Sequence, residues 1–224
     1  MLHISDMTND VSDLKSEILA RIAAGTPRGV WTPRDFLDLG ERDAVDKALQ
    51  RLTRAGGLRR VDRGLYDQPS INHLTKKASP ADPREVIEAV ARRDQIRVLV
   101  DGMTAANDLG LTNAVPAKIL VHADARLKTI SLGQLDIVFK PTAASKLYWA
   151  GRPAMRIVQA LHWLRDTMGQ ADDDQMLIRR LTALLNDPKN GKCLRNDLRD
   201  GLTTLPAWMQ SLLRPLLSEE AGAA

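Results

Sequence analysis

ERDAVDKALQRLTRAGGLRRVDRGLYDQP, residues 41–69, divides into two unlike halves. In the first, Val45, Ala48, Leu49 and Leu52 recur at helical spacing and predict a buried stripe. Asp43, Asp46, Lys47, Gln50 and Arg54 line the opposite side. Gly56 and Gly57 break that pattern. Residues 58–61 and 64–66 then read as two short strands paired around Asp62-Arg63-Gly64. Folding requires only the apolar stripe, so the charged outer face and the arginine-rich hairpin need a reason of their own.

Upstream, Leu14, Ile18, Leu19 and Ile22 predict a helix over residues 11–24, closed by Gly25-Thr26-Pro27. Gly29-Val30-Trp31 suits a short strand. Thr32-Pro33-Arg34-Asp35 has the grammar of a helix start: a capping threonine, a first-turn proline and an acid that reaches back to the cap. Phe36, Leu37 and Leu39 are expected to form its buried face, and Gly40 to stop it. Helix, strand, helix, helix, hairpin is the order of a winged helix-turn-helix, expected over residues 1–70.

That order explains the charged face, because in this fold the second helix of the pair enters the major groove. Arg42, Asp43, Lys47 and Gln50 are the candidate base readers, and Arg51 and Arg54 continue the DNA-facing side of the helix. Arg59, Arg60 and Arg63 are assigned to backbone and wing contacts. A solvated amphipathic helix, or a winged helix used against a protein, remains the plainer alternative. Asp43 and Asp46 favour it, since carboxylates repel phosphates. Residues 1–70 hold 11 Lys+Arg and 11 Asp+Glu, so the positive charge is local to 41–63 rather than general.

The whole chain has 224 residues, a net charge of +4, 44% apolar and 27% charged residues, which suits a globular protein of two modest domains. No apolar run approaches the ~20 residues that span a bilayer. The N-terminus lacks the basic-then-apolar pattern of a secretory signal. With Cys193 the single cysteine, no intrachain disulfide forms, and a cytoplasmic location is expected.

Residues 71–83 read as a linker, 84–218 as a second domain and 219–224 as a disordered tail. Asp82-Pro83 begins a helix expected to run to about Arg93. Strands are expected over 96–100, 118–122, 127–131 and 135–140, with a short helix over 104–109 between the first two. Helical patterns follow from residue 143, one around Ile157, Leu161 and Leu164, another around Leu177, Leu181, Leu184 and Leu185, and two more after Lys189 and Pro206. The expected fold class is therefore α+β: the winged helix-turn-helix, then a small mixed sheet with a C-terminal helical bundle. Trp31, Trp149, Trp163 and Trp208 are expected in cores or at a domain interface rather than as base-stacking platforms.

Chemistry is sparse. His3, His73, His122 and His162 show no paired ligand spacing, and neither a phosphate loop nor a nucleophile elbow occurs, so no cofactor, metal or catalytic residue is expected. His122 with Asp124 is a weak metal pair. Asp124, Asp136 and Lys140 are the nuclease-like alternative. That chemistry wants acid and lysine two apart on one strand, whereas Asp136 and Lys140 are four apart.

The stretch TPRDFLDLGERDAVDKALQRLTRAGGLRRVDRGLYDQP, with its closing Arg63-Gly64-Leu65-Tyr66, resembles the winged helix of AbiEi antitoxin-like regulators of type IV toxin–antitoxin systems. GMTAANDLGLTNAVPAKILVHADARLKTISLG (102–133) and PAWMQSLL (206–213) resemble the middle and end of one subgroup; Glu41 stands where that family often has a small polar residue. The resemblance implies a non-enzymatic transcriptional repressor that binds inverted repeats of double-stranded DNA in its own promoter. It also implies a nucleotidyltransferase-like toxin encoded alongside, neutralised with the help of the C-terminal domain.

Overall fold

The computed structural model describes residues 4–25, 29–71, 76–114, 116–165 and 171–218. They form an α+β protein with eight α-helices and two small sheets among the described residues. Two compact units divide the chain. The first is Met1–Ile96 with Thr129–Ile137, and the second is Arg97–Lys128 with Val138–Ala224. The first unit thus extends past the expected linker at 71–83, of which residues 72–75 lie outside the described residues, as does the expected tail at 219–224.

In the first unit, α1 (Ile4–Ala24) begins well before the expected residue 11. It is followed by β1 (Val30–Trp31) and a single turn of tight helix at Pro33–Phe36. α2 (Arg42–Arg54), β2 (Arg59–Asp62) and β3 (Leu65–Asp67) complete the run. The start of the tight turn is as the sequence suggests: the Asp35 carboxylate accepts from the Thr32 amide at 2.7 Å and from its hydroxyl at 3.0 Å. Its buried face differs. In a helix with three residues per turn, only positions three apart share a side, so Pro33 and Phe36 are buried while Leu37 is 43% exposed.

Val45, Ala48, Leu49 and Leu52 of α2 pack with Leu14, Ile18 and Ile22 of α1, Phe36 and Leu58 in one apolar core. Truncating a residue such as fully buried Leu49 in a core of this kind costs about 2–5 kcal/mol. The three strands form an antiparallel sheet ordered β1-β3-β2. Helix α3 (Pro83–Asp94) starts as expected, with the Asp82 carboxylate accepting from the Arg84 amide at 2.9 Å. It buries Val86, Ile87, Ala89 and Val90 and lies against β1 and β3, which is why it belongs to the first unit.

The second unit carries β4 (Val98–Val100), α4 (Gly102–Asp108), β5 (Lys118–Ala123) and the later residues of β7 (Leu135–Pro141). β7 pairs with β6 (Ile130–Leu132) in a hairpin, and the sheet order is β4-β5-β7-β6. β6 starts later than the sequence suggests. Asp101 ties this region together: its carboxylate caps α4 through the Thr104 amide at 3.0 Å and accepts from the Leu120 amide of β5 at 3.0 Å. α4 lies on α5 (Met155–Leu164), where the Gly102 backbone approaches so closely that an added Cβ would meet that of Trp163. Trp163 is 38% exposed, because the inner stripe of α5 is Met155, Ile157, Val158, Ala160 and Leu161. Helices α6 (Ala171–Leu185), α7 (Gly191–Gly201) and α8 (Ala207–Ser218) follow, and α6 packs on both of the others.

Asp124 accepts from the Arg97 amide at 2.9 Å and from its guanidinium at 3.0 Å, and these bonds hold its carboxyl below the usual range. A lowered folded-state pKa contributes stability above the unfolded value near 4 and loses it as pH falls through the folded value. Urea denaturation between pH 5 and pH 3 is therefore expected to show a shallower acid loss for Asp124→Asn than for the wild type.

Candidate functional site

Burying Val45, Ala48, Leu49 and Leu52 turns the other side of α2 outward, and Arg42, Asp43, Lys47, Gln50, Arg51 and Arg54 are all exposed. At 1.5 Å per residue the helix is about 20 Å long, enough to cross a major groove about 12 Å wide. Lys47, Arg51 and Arg54 form no salt bridge among the described residues. Arg42 does: its Nε donates to Asp46 Oδ2 at 2.9 Å, one helical turn on. Both side chains are about half exposed, so the pair is worth only about 0.3–0.5 kcal/mol and yields readily to a competing anion. Glu41 and Asp43 at the helix start complement its dipole.

The hairpin presents its arginines unequally. Along β2, Arg59 and Val61 are partly buried while Arg60 and Asp62 are exposed, with a register shift between Arg60 and Asp62. Arg60 donates to the Asp62 carbonyl at 3.3 Å, and Arg63 is exposed in the turn, where Gly64 adopts φ +66°. A left-handed residue there is what lets so short a turn reverse the chain. Arg59 is placed differently from the expected wing role. It sits directly across from Asp67, donates through Nε to Oδ1 at 2.9 Å and through Nη2 to Oδ2, and donates through Nη1 to the Ser79 carbonyl at 2.8 Å. With Asp67 only 3% exposed, the guanidinium serves as counter-ion to a buried carboxylate. Sequence spacing alone cannot reveal this, since Asp67 is eight residues away and is brought opposite by the strand register.

Three further arginines gather near the hairpin. Arg34 is exposed and donates to the Arg93 carbonyl at 3.5 Å, Arg92 donates to the Val30 carbonyl at 3.0 Å, and Arg93 reaches the hairpin turn. Arg93 is paired with Asp94, whose carboxyl it holds below the usual range. No periodicity marks this convergence, because it depends on α3 folding back onto β1 and β3.

The alternative chemical candidates each have local partners. His122 Nδ1 lies 3.0 Å from the Thr142 hydroxyl, and burial with nearby Lys140 lowers its pKa. Asp124 is engaged by Arg97, and Asp136 accepts from the Ser131 hydroxyl at 2.7 Å. Asp136 belongs to the first compact unit, Asp124 and Lys140 to the second. Among the described residues, no group of three or more His, Cys, Asp or Glu could hold a metal ion, and no helix is long and apolar enough to cross a membrane. Trp149 is buried and Trp31 packs on Phe36 at 5.7 Å between ring centroids.

A family of unknown function, DUF6088, matches residues 17–192, a span that takes in α2, the hairpin, α3 and the whole four-stranded sheet. The chain belongs to the DUF6088 family. The match places every residue of the α2 and hairpin surface inside the family region, while α8 lies beyond it. Comparison with curated proteins gives no match.

Arg59→Ala is expected to act on stability. Leaving Asp67 buried without its counter-ion costs about 2 kcal/mol, below the usual 3–5 for a fully buried pair because Arg59 is about one-third exposed. A lowered urea midpoint with an unchanged m-value would register it. An unchanged midpoint would show that the Arg59–Asp67 pair contributes little.

Proposed function

We propose that this DUF6088 chain is a sequence-specific, DNA-binding transcriptional regulator whose N-terminal part acts as a winged helix-turn-helix. One observation carries the reading: α2 exposes Arg42, Lys47, Gln50, Arg51 and Arg54 on the face opposite its core stripe, directly before a hairpin with exposed Arg60 and Arg63. Side chains along the outer face of α2 would read base edges: Arg42 or Lys47 to guanine O6 and N7, and Gln50 to adenine N6 and N7. Asp43 would accept from a cytosine N4 amine in the same groove. Arg60 and Arg63 would hold phosphates beside it. Two copies on two half-sites would serve an inverted repeat.

Following the resemblance to AbiEi-like regulators, the proposed biological role is the autorepressing antitoxin of a type IV toxin–antitoxin system in the cytoplasm, without catalysis of its own. Its functional partner would be a nucleotidyltransferase-like toxin. The Arg42–Asp46 pair on the reading face favours a second reading, a winged helix that docks on a protein, because mixed charge of that kind suits a protein surface as well as DNA.

A salt-titrated binding assay on the gene's own upstream DNA, with scrambled DNA as control, separates the two readings. Wild type should prefer the upstream duplex. Lys47→Ala/Gln50→Ala should lose that preference by about tenfold or more, each bidentate contact being worth roughly 1–3 kcal/mol. Arg63→Ala should weaken binding to both duplexes and reduce the salt slope by about 0.9. Equal, weak binding of wild type to every duplex would end the DNA reading in favour of protein docking.

A further inference from the structure

The hairpin that carries Arg63 is short and interrupted: three registered pairs join β2 to β3, with a register shift among them. Two-stranded hairpins of this size are marginal by themselves. The turn is held from outside. Arg93, in the last turn of α3, donates through Nη1 to the Arg63 carbonyl at 2.6 Å, and its Cδ lies 3.7 Å from the Cβ position of Gly64. The rest of the fork is fixed as well. Nε and Nη2 donate to the two Asp94 oxygens at 2.8 and 2.7 Å. The side chain is 23% exposed, and α3 is anchored on β1 and β3.

A planar guanidinium with all three of its nitrogens committed to protein is poorly placed to grip a phosphate, and well placed to set the position of the turn. We infer that Arg93 is a positioning residue of the DNA interface: it pins the hairpin turn through the Arg63 carbonyl and so fixes where the Arg63 guanidinium meets the DNA backbone. The inference rests on the DNA-binding reading of α2 and the hairpin. It extends the DNA-binding module to α3, beyond residue 70.

The test uses the full chain with Arg93→Met, Arg93→Lys, Arg63→Ala and the double variant Arg63→Ala/Arg93→Met. Binding to upstream and scrambled DNA is titrated with salt, and amide hydrogen exchange is followed over residues 62–65 of the free protein. Arg93→Met should exchange faster at the turn and bind about tenfold more weakly. Its salt slope should drop by about 0.9, with the preference for upstream DNA intact. Loss of the preference as well, in a variant that still folds, would overturn the inference. The double variant should bind no more weakly than Arg63→Ala alone. Arg93→Lys retains a donor for the Arg63 carbonyl and should recover part of the loss, which keeps the question open to test if the Met variant misfolds. Additive losses in the double variant would make Arg93 a separate phosphate contact, and unchanged binding by Arg93→Met would show a self-supporting turn; either overturns the positioning role alone. Failure of the wild type to bind DNA would sink both readings.

Discussion

Everything in the first unit depends on burying one stripe of α2. Val45, Ala48 and Leu49 are fully excluded from water, and Leu52 nearly so, against Leu14, Ile18 and Ile22 of α1 and Phe36 of the tight turn. A helix has one rotation about its axis that buries such a stripe. That rotation dictates that Lys47, Gln50, Arg51 and Arg54 point to solvent. The polar face is thereby fixed by the apolar one, and the surface that could meet another molecule is set by core packing.

The hairpin obeys a second constraint of the same kind. Strand register places Arg59 opposite Asp67, and burial of the carboxylate recruits the guanidinium inward. The next residue, Arg60, is then turned outward by the alternation of the strand. Adjacent arginines in the sequence therefore do different work, one neutralising a buried charge and its neighbour remaining available at the surface.

Local signals carried most of what the sequence revealed. Periodicity located α2, capping residues located the starts of the tight turn at Pro33 and of α3, and Gly64 located the hairpin turn, because each depends on neighbours within a few residues. Non-local packing was invisible. The placement of α3 with the first unit depends on contacts with β1 and β3, and a linker-like composition at 71–83 suggested a boundary there instead. The inward commitment of Arg59 and the gathering of Arg34, Arg92 and Arg93 share that cause. Leu37 shows a subtler limit: an apolar residue inside a helical pattern suggests core, yet a three-residue turn leaves it facing outward. The outward-facing residues of α2 were legible for the opposite reason, since the stripe that defines them is entirely local.

The first unit is discontinuous in the chain, taking in Thr129–Ile137 after an excursion through Arg97–Lys128. During synthesis, a ribosome reaches Ile96 well before it supplies the last segment of that unit. At about 5–20 residues per second, the interval through residue 137 is roughly 2–8 s. Strands β4 and β5 are made in that interval, before the last segment of the first unit exists. Chain order thus makes completion of the first unit wait on translation of Thr129–Ile137, a segment separated from the rest of that unit by Arg97–Lys128.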